Sequence, residues 1–414
     1  MRSAVVVGAG VGGLAAAGAL ARTGWQVTLL ERGDRLRGDS AALLLWPNGV
    51  RALQALGLGG GLGAIASPAP TRGIRRPGGQ WLVQPDTADA DGEGSVVIHR
   101  EDLHDALVAG LGDRVDIRTG VTVRSGRATP GDLPEVSDGK HTWRGDLVVA
   151  ADGVDSVLRR RLVPESTVMA AGCAAWRAVI PWYRAPKLPD VGDGTMGGGN
   201  AAQPAGTGGE TLGAGHRFRY ALLGERGSAG TSSRGGIYWA ATVPGAYRPE
   251  PAATQLGLLR RWFTGWHAPI ADLLAATEPG DLIQHTVGEL RTLPRGFAFP
   301  SGPGGFVLLG DAAHAMSHHL GQGACLALED AATLQTLVRE AIPGRGLCQA
   351  LESYTRERRP RLARILRQSR RVGAVYSANS TFAVRARDAA LGLTPNRLLG
   401  RATATVRQWQ PPAP

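Results

Sequence analysis

Short, almost unbroken apolar runs alternate along the chain with glycine-punctuated stretches of helical spacing. The runs at 4–7 (AVVV), 26–30 (QVTLL), 147–150 (LVVA) and 306–309 (FVLL) are too short for helices, and all but the second are apolar at successive positions. Strands buried on both faces have that pattern. Helical patterns follow three of them, at 15–21, at 156–161 and from Gly323 to about 341, and others cover 101–111, 252–276 and 346–374, with a further strand at 115–118. Runs at 173–181 (CAAWRAVIP), 216–223 (HRFRYALL) and 236–243 (GIYWAATV) mix aromatic and β-branched residues with polar ones, which predicts strands of a separate sheet. Residues 41–58 read as an apolar run, a turn at Pro47-Asn48 and a helix, and 72–98 as hairpins around glycines. The proline-rich end, 400–414, predicts a loose tail.

Composition narrows the class. At 414 residues the chain is long enough for two domains, and 43% hydrophobic with 20% charged residues is globular. Its apolar runs fall short of the roughly 20 residues that span a bilayer, and the N-terminus carries no small-residue cleavage site, so neither a membrane span nor a secretion signal is expected. The three cysteines (Cys173, Cys325, Cys348) lack CxxC spacing, which fits a reducing cytoplasm and neither a disulfide framework nor a metal site. The net charge of +11 rests on arginine, since Lys140 and Lys187 are the only lysines. Arginines crowd 356–371, but Leu362, Ile365 and Leu366 recur among them at helical spacing and no aromatic platform accompanies them. A solvated helix face is expected there, not a nucleic-acid stripe.

Two stretches carry candidate chemistry. In GAGVGGLAAAGALARTGWQVTLLER (8–32), Gly8, Gly10 and Gly13 have G-x-G-x-x-G spacing between a strand and a helix. That spacing gives a tight turn, room for a pyrophosphate, and close helix-on-strand packing. Glu31 closes the second strand 23 residues beyond Gly8, where an acid takes ribose hydroxyls, so FAD or NAD fits better than NADP. In GFVLLGDAAHAMSHHLGQGACLALEDAATL (305–334), a strand, a turn at Gly310-Asp311 and a glycine-rich loop lead into a helix start, where unpaired N–H groups meet a phosphate or an electron-rich ring edge. Only one dinucleotide fingerprint is present.

Together with DLVVAADGVDSVLRR (146–160), these stretches resemble the single-component, or class A, FAD-dependent aromatic hydroxylases, over nearly the whole chain to about Arg371. The resemblance implies an α/β fold: a Rossmann-like FAD-binding domain, an inserted, mainly antiparallel substrate sheet, and C-terminal helices. The FAD domain would take 1–70, 99–165 and 296–340, with a β excursion at 71–98, a substrate domain at 166–295, and helices and tail at 341–414. It further implies one non-covalent FAD, its ADP part on Gly8, Gly10, Gly13 and Glu31 with the adjoining Arg32. Asp152 would touch flavin and nicotinamide binding, Asp311 the ribityl chain, and Gly321, Gly323 and Ala324 the pyrimidine end of the ring. Arg100 would face the pyrophosphate region and Arg37 the flavin. Without a second fingerprint, NADPH or NADH would act as a co-substrate with no domain of its own, the many arginines favouring NADPH.

The implied reaction is oxygenation through a flavin C4a-hydroperoxide, with O2 and an aromatic small molecule as partners and no nucleic acid or membrane. A monomer or weak homodimer in the cytoplasm is expected. Where the family usually has proline in the flavin-facing loop, this chain has His318, followed by His319. Either the pair only shapes the loop, or one imidazole serves the chemistry. In the second domain, alternation puts His216, Phe218 and Tyr220 on one face and Arg217 and Arg219 on the other. Tyr220 and Trp239 are candidate pocket lining, beside Trp176 and Arg177 of an equivalent strand. The glycine-rich 195–215 suggests a mobile flap and a bulky aromatic or polyketide-like substrate. The alternative is a small phenol, benzoate or purine, anchored by Arg177 or Arg219. A flavin-dependent halogenase is disfavoured: the run from Trp176 to Pro181 lacks that family's second tryptophan, and no lysine precedes Lys140. A non-catalytic FAD-binding or regulatory protein is the reading from another class.

Overall fold

The run at 4–7 becomes the strand Ser3–Val7, and its position explains its composition. In the computed structural model, which describes residues 1–38, 40–70, 73–85, 94–188, 208–224 and 234–412, this strand lies inside a six-stranded sheet. The order is Ala298–Pro300, Gly305–Leu308, Leu147–Ala150, Ser3–Val7, Gln26–Leu30 and Val115–Arg118. Neighbours run parallel except for the antiparallel edge strand Ala298–Pro300. Val5 is in register with Val148, and Val148 with Phe306, all buried. Helices Val11–Arg22 and Gly323–Val338 pack on each other beside this sheet, closely enough for Gly12 to touch Ala327 and Leu309. A small sheet of Ser125–Arg127, Glu135–Ser137 and Thr142–Arg144 lays Gly126 against Phe306 and Leu158.

The second unit is a seven-stranded sheet in the order Ile283–Leu290, Val168–Pro181, Gly236–Pro244, Arg217–Leu223, Gly208–Leu212, Ile74–Arg75 and Trp81–Val83. Only Gly208–Leu212 and Ile74–Arg75 pair in parallel. One face buries Trp176, Phe218, Ile237 and Trp239 against helices Ala252–Trp262 and Ile270–Ala276. A three-stranded sheet of Ala42–Leu45, Val96–His99 and Ala66–Pro68 joins the units, with Ala42 and Val97 packed on Ala221 and Leu223. Among the described residues no helix is long and apolar enough to cross a membrane.

Four local expectations are corrected. Pro47 does not make a turn; it opens the helix Pro47–Ala55, where its missing N–H costs nothing. Of the glycine-rich segment read as a flap, 195–207 lies outside the described residues and Gly208–Leu212 is a strand paired on both sides. Up to residue 412 the end of the chain is not loose. Residues Asn396–Arg407 form a helix, Val406 and Trp409 enter the main core, and Arg51 and Arg361 donate to its last carbonyls. Nor is the arginine-rich stretch simply a solvated face. It forms the middle of the helix Arg345–Tyr376, where Arg358 is only 1% exposed and Arg361 and Arg370 also pair with acids of neighbouring elements. Helical spacing turns Arg358, Arg361 and Arg370 toward neighbouring elements, and the buried acids Glu329, Asp330 and Glu289 meet them there.

Candidate active site

A cavity of about 780 Å³ lies between the two sheets, the fingerprint turn and the C-terminal helices. Its first wall is the start of helix Val11–Arg22, capped by Gly10 without any side-chain bond, so the first-turn N–H groups are free for an anion. Glycine is required on this wall by contact distance. A Cβ on Gly13 would stand 1.8 Å from the Gly8 carbonyl oxygen, and one on Gly8 (φ +102°) 2.4 Å from that of Ala151. At Gly10 a Cβ would meet nothing within 4 Å, which marks the side open to a ligand. The Glu31 carboxylate, at the end of the second strand, accepts from Ala9 N at 2.7 Å and Gly33 N at 2.8 Å, and so sits beside the glycine turn.

Asp311 lies exposed on the cavity next to Gly310, whose φ of +62° turns the chain, and its carboxylate has no hydrogen bond among the described residues. Arg100, Gly321, Gly323 and Ala324 line the same space. A helix start for phosphates, an acid for a ribose and a second open acid are what FAD requires, and the cleft fits it. Three other expected residues stand elsewhere. Asp152 is spent on its own helix, accepting from Ser156 Oγ and from the N–H groups of Val157 and Leu158, while Gly153 beside it reaches the cavity. Arg32 is exposed outside the cavity lining, and Arg37 borders a separate polar depression with Arg35 and Arg234.

The opposite wall is the face of the seven-stranded sheet that carries charge. Register aligns Glu210 with Arg219, Arg219 with Ala240, and Ala240 with Arg177, so these side chains share one face with Arg217, Tyr238 and Thr242. Trp239 and Trp176, on the other face, are core: Trp239 stacks on Phe218 and donates to Thr277, and Trp176 donates to Gln255. The aromatic face thus went to packing and the arginine face to the cavity, the reverse of the lining expected for Trp239. Tyr220, on the middle strand, is half-buried and does reach the cavity.

Arg217 pairs with Glu210 at 2.7 Å, donates to the His319 carbonyl at 3.3 Å and lies 4.6 Å over the Tyr376 ring. Burial opposes both charges of that pair, yet each holds the other ionised, lowering the Glu210 pKa and raising that of Arg217. Arg219 and Arg177 have no hydrogen bond or ion pair among the described residues. Burial, then the Arg217 charge, brings Arg219 down to about 10. His318 Nε2 lies 2.9 Å from Thr242 Oγ1, while its Nδ1 is buried without a partner. Burial, followed by His319 and the three arginines, lowers the His318 pKa well below the ordinary value; burial with Arg217 and Arg219 brings His319 to about 4. Both imidazoles are therefore neutral at pH 7.

Behind the loop lies a buried polar network that sequence reading missed. His314 Nε2 meets Asp330 at 2.7 Å, and Asp330 also accepts from Gly310 N at 2.9 Å. Glu329 binds Arg358 at 2.7 Å, Arg361 and the amide of Asn48, and Asn48 in turn donates to Gln322 at 2.9 Å. The visible signal was the adjacent acids Glu329 and Asp330 in an otherwise apolar helix, which require buried cations. Glu210 was hidden in the glycine-rich segment.

The FAD binding domain family model matches residues 1–189 and 299–369, more than half of the chain. The chain is 31% identical over 386 residues to aurachin C monooxygenase/isomerase of Stigmatella aurantiaca, covering 92% of this chain and 91% of that protein. It is 30% identical over 404 residues to 2-heptyl-3-hydroxy-4(1H)-quinolone synthase of Pseudomonas aeruginosa, covering 95% and 94%. The structure of Klebsiella pneumoniae HpxO complexed with FAD and uric acid matches with a TM-score of 0.79 at 24% identity, over 98% of this chain and 97% of that one, and shares the fold. The cleft, the fold and these matches agree, and the chain belongs to the single-component FAD-dependent monooxygenases, NAD(P)H-using flavoproteins that oxygenate small aromatic or heterocyclic molecules.

Proposed function

We propose that the enzyme hydroxylates a small aromatic or heterocyclic compound whose acidic edge is bound as an anion by Arg219 and Arg177. The observation that carries this reading is that, among the described residues, two guanidinium groups open on the cavity without a protein partner, on a wall whose one carboxylate, Glu210, is already taken by Arg217. A cavity of about 780 Å³ that must also hold the flavin ring favours a compact head group over the bulky polycyclic substrate considered from sequence. The similar proteins named for quinolone and complexed with uric acid concern heterocycles of this kind.

FAD, reduced by NAD(P)H, supplies activated oxygen when bound. The protein's own residues do the rest. The helix start at Val11 and Asp311 hold the cofactor in the cleft, and Gly321, Gly323 and Ala324 leave room for its ring. Arg219 and Arg177 hold the substrate anion and draw electron density onto the ring to be oxygenated. With His318 in the tautomer that donates from Nε2 to Thr242, its neutral Nδ1 accepts a hydrogen bond from the substrate's hydroxyl or ring N–H and orients the ring. Arg217 and Tyr376 wall the site from solvent.

Incubation of the holoenzyme with NAD(P)H and ¹⁸O2 against phenols, hydroxybenzoates, quinolones and purines tests the reading by product mass. One labelled oxygen in an acidic ring compound, with weaker turnover of its O- or N-methylated form, is expected. Consumption of NAD(P)H without labelled product from any of them would overturn it.

A further inference from the structure

We propose that the end of the cavity remote from the charged wall is a second subsite, built for an unbranched aliphatic chain carried by the substrate. This rests on the function just proposed and extends it: the ligand is a ring with an acidic edge and a hydrocarbon tail.

The same cavity that holds Arg177 and Arg219 runs on to Ile74, Val83, Val375, Leu391, Leu399 and Gly400. These come from the last two strands at one end of the seven-stranded sheet and from helices Arg345–Tyr376, Thr381–Leu393 and Asn396–Arg407. The two last helices are fixed at their rims by polar contacts. Arg387 donates to the Gly213 carbonyl at 2.8 Å, Asp388 pairs with Arg76 at 3.0 Å, Asn396 donates to the Gln84 carbonyl at 3.2 Å, and Arg361 donates to the Thr405 and Val406 carbonyls at 2.9 Å. On their cavity side Leu391, Leu399 and Gly400 stand beside Asn396 and Thr403, of which Asn396 donates to Gln84 and Thr403 back to the Leu399 and Gly400 carbonyls, and Ile74, Val83, Leu391 and Leu399 stay only half-buried. Among the described residues, Arg371 is the one cation of the three helices that lines the cavity, and it is exposed to solvent. A compact ring bound at the arginines would leave this apolar end wet, whereas a chain attached to the ring would dry it.

The test is binding to the oxidised holoenzyme without NAD(P)H, read from the flavin absorbance difference. Two series serve as probes: 2-alkyl-4-quinolones and 4-alkylphenols with chains of zero, three, five and seven carbons. Affinity is expected to rise about three- to fourfold per methylene over at least the first five carbons. Gly400 supplies the matching variant, because a Cβ there meets nothing within 4 Å and its φ is not in the left-handed region. Gly400→Leu therefore projects into the channel without a clash, and it is expected to collapse the affinity ratio between seven-carbon and chain-free compounds toward one. A flat series in the parent, loss of binding by every tailed compound, or a ratio unchanged in Gly400→Leu would each overturn the proposal. Failure of the function itself is read separately, as no labelled product from any probe, tailed or not.

Discussion

The Arg358 guanidinium lies 2.7 Å from the Asp330 carboxylate, and both side chains are buried. This contact joins the long C-terminal helix to the helix that follows the cofactor loop. Asp330 uses its other oxygen on His314 and on Gly310 N, immediately before Asp311. Burial alone would raise the Asp330 pKa, but His314 and Arg358 together hold it below its usual range. The position of Asp311 is thus set by an ion pair that lies outside the cavity lining.

Removing one partner should be costly, because it leaves a buried charge uncompensated. Arg358→Met is expected to lower unfolding stability by about 3–5 kcal/mol, measured by urea denaturation of the apoprotein. It should also weaken FAD retention, through the loop that Asp330 anchors.

Asp311 itself has no visible part in holding the fold. Asp311→Ala should leave the apoprotein's melting temperature within a few degrees of the parent and strongly reduce flavin occupancy, measured as absorbance near 450 nm per chain. Gly13→Ala is the steric counterpart: its Cβ would fall 1.8 Å from the Gly8 carbonyl oxygen, so both occupancy and stability should fall.

Much of the cofactor half was legible in the sequence because its physics is local. Glycine spacing, a strand of unbroken apolar residues and a terminal acid all lie within 30 residues of one another, and Gly8, Gly10 and Glu31 stand together as the spacing predicted. The substrate half depends on which face of an antiparallel sheet is covered. Alternation separated Phe218 from Arg219 correctly, but it cannot say which side receives helices Ala252–Trp262 and Ile270–Ala276. Those helices took the tryptophans, and the arginines were left for the cavity. Long-range pairs were invisible for the same reason: Asn48 meets Glu329 across 281 positions, and nothing near Asn48 announces it.

The two sheet arginines should behave oppositely. Arg217 is paired, so Arg217→Gln abandons Glu210 in a buried place and should destabilise the fold by several kcal/mol. Arg219 bears a charge that burial and Arg217 disfavour, so Arg219→Gln should leave stability unchanged or slightly higher. It should instead raise the KM for an anionic substrate by about 10- to 100-fold, the loss of one charge-assisted hydrogen bond. Parallel melting curves and steady-state kinetics separate the two effects.

The histidine pair makes stability depend on pH in a window of its own. His319 titrates at about 4 in the folded protein against an ordinary 6.5, and His318 is also lowered. Between these values the unfolded chain binds protons that the folded one does not, so stability is full above about pH 6.5 and falls as pH drops toward 4. For His319 alone the loss amounts to about 3 kcal/mol across that range. Carboxylates held below their normal pKa, such as Glu210 and Asp330, contribute their losses only at lower pH, below about 4.5. Denaturation midpoints at pH 7.5, 6, 5 and 4.5 should therefore decline already between 6 and 5, and His319→Gln should flatten that part of the profile. His318→Gln carries a second readout. Flavin binding should persist while product formed per NAD(P)H oxidised falls about ten-fold, the effect of losing a hydrogen bond that orients the substrate. A His318→Gln enzyme coupled as tightly as the parent would show that the imidazole only shapes the loop.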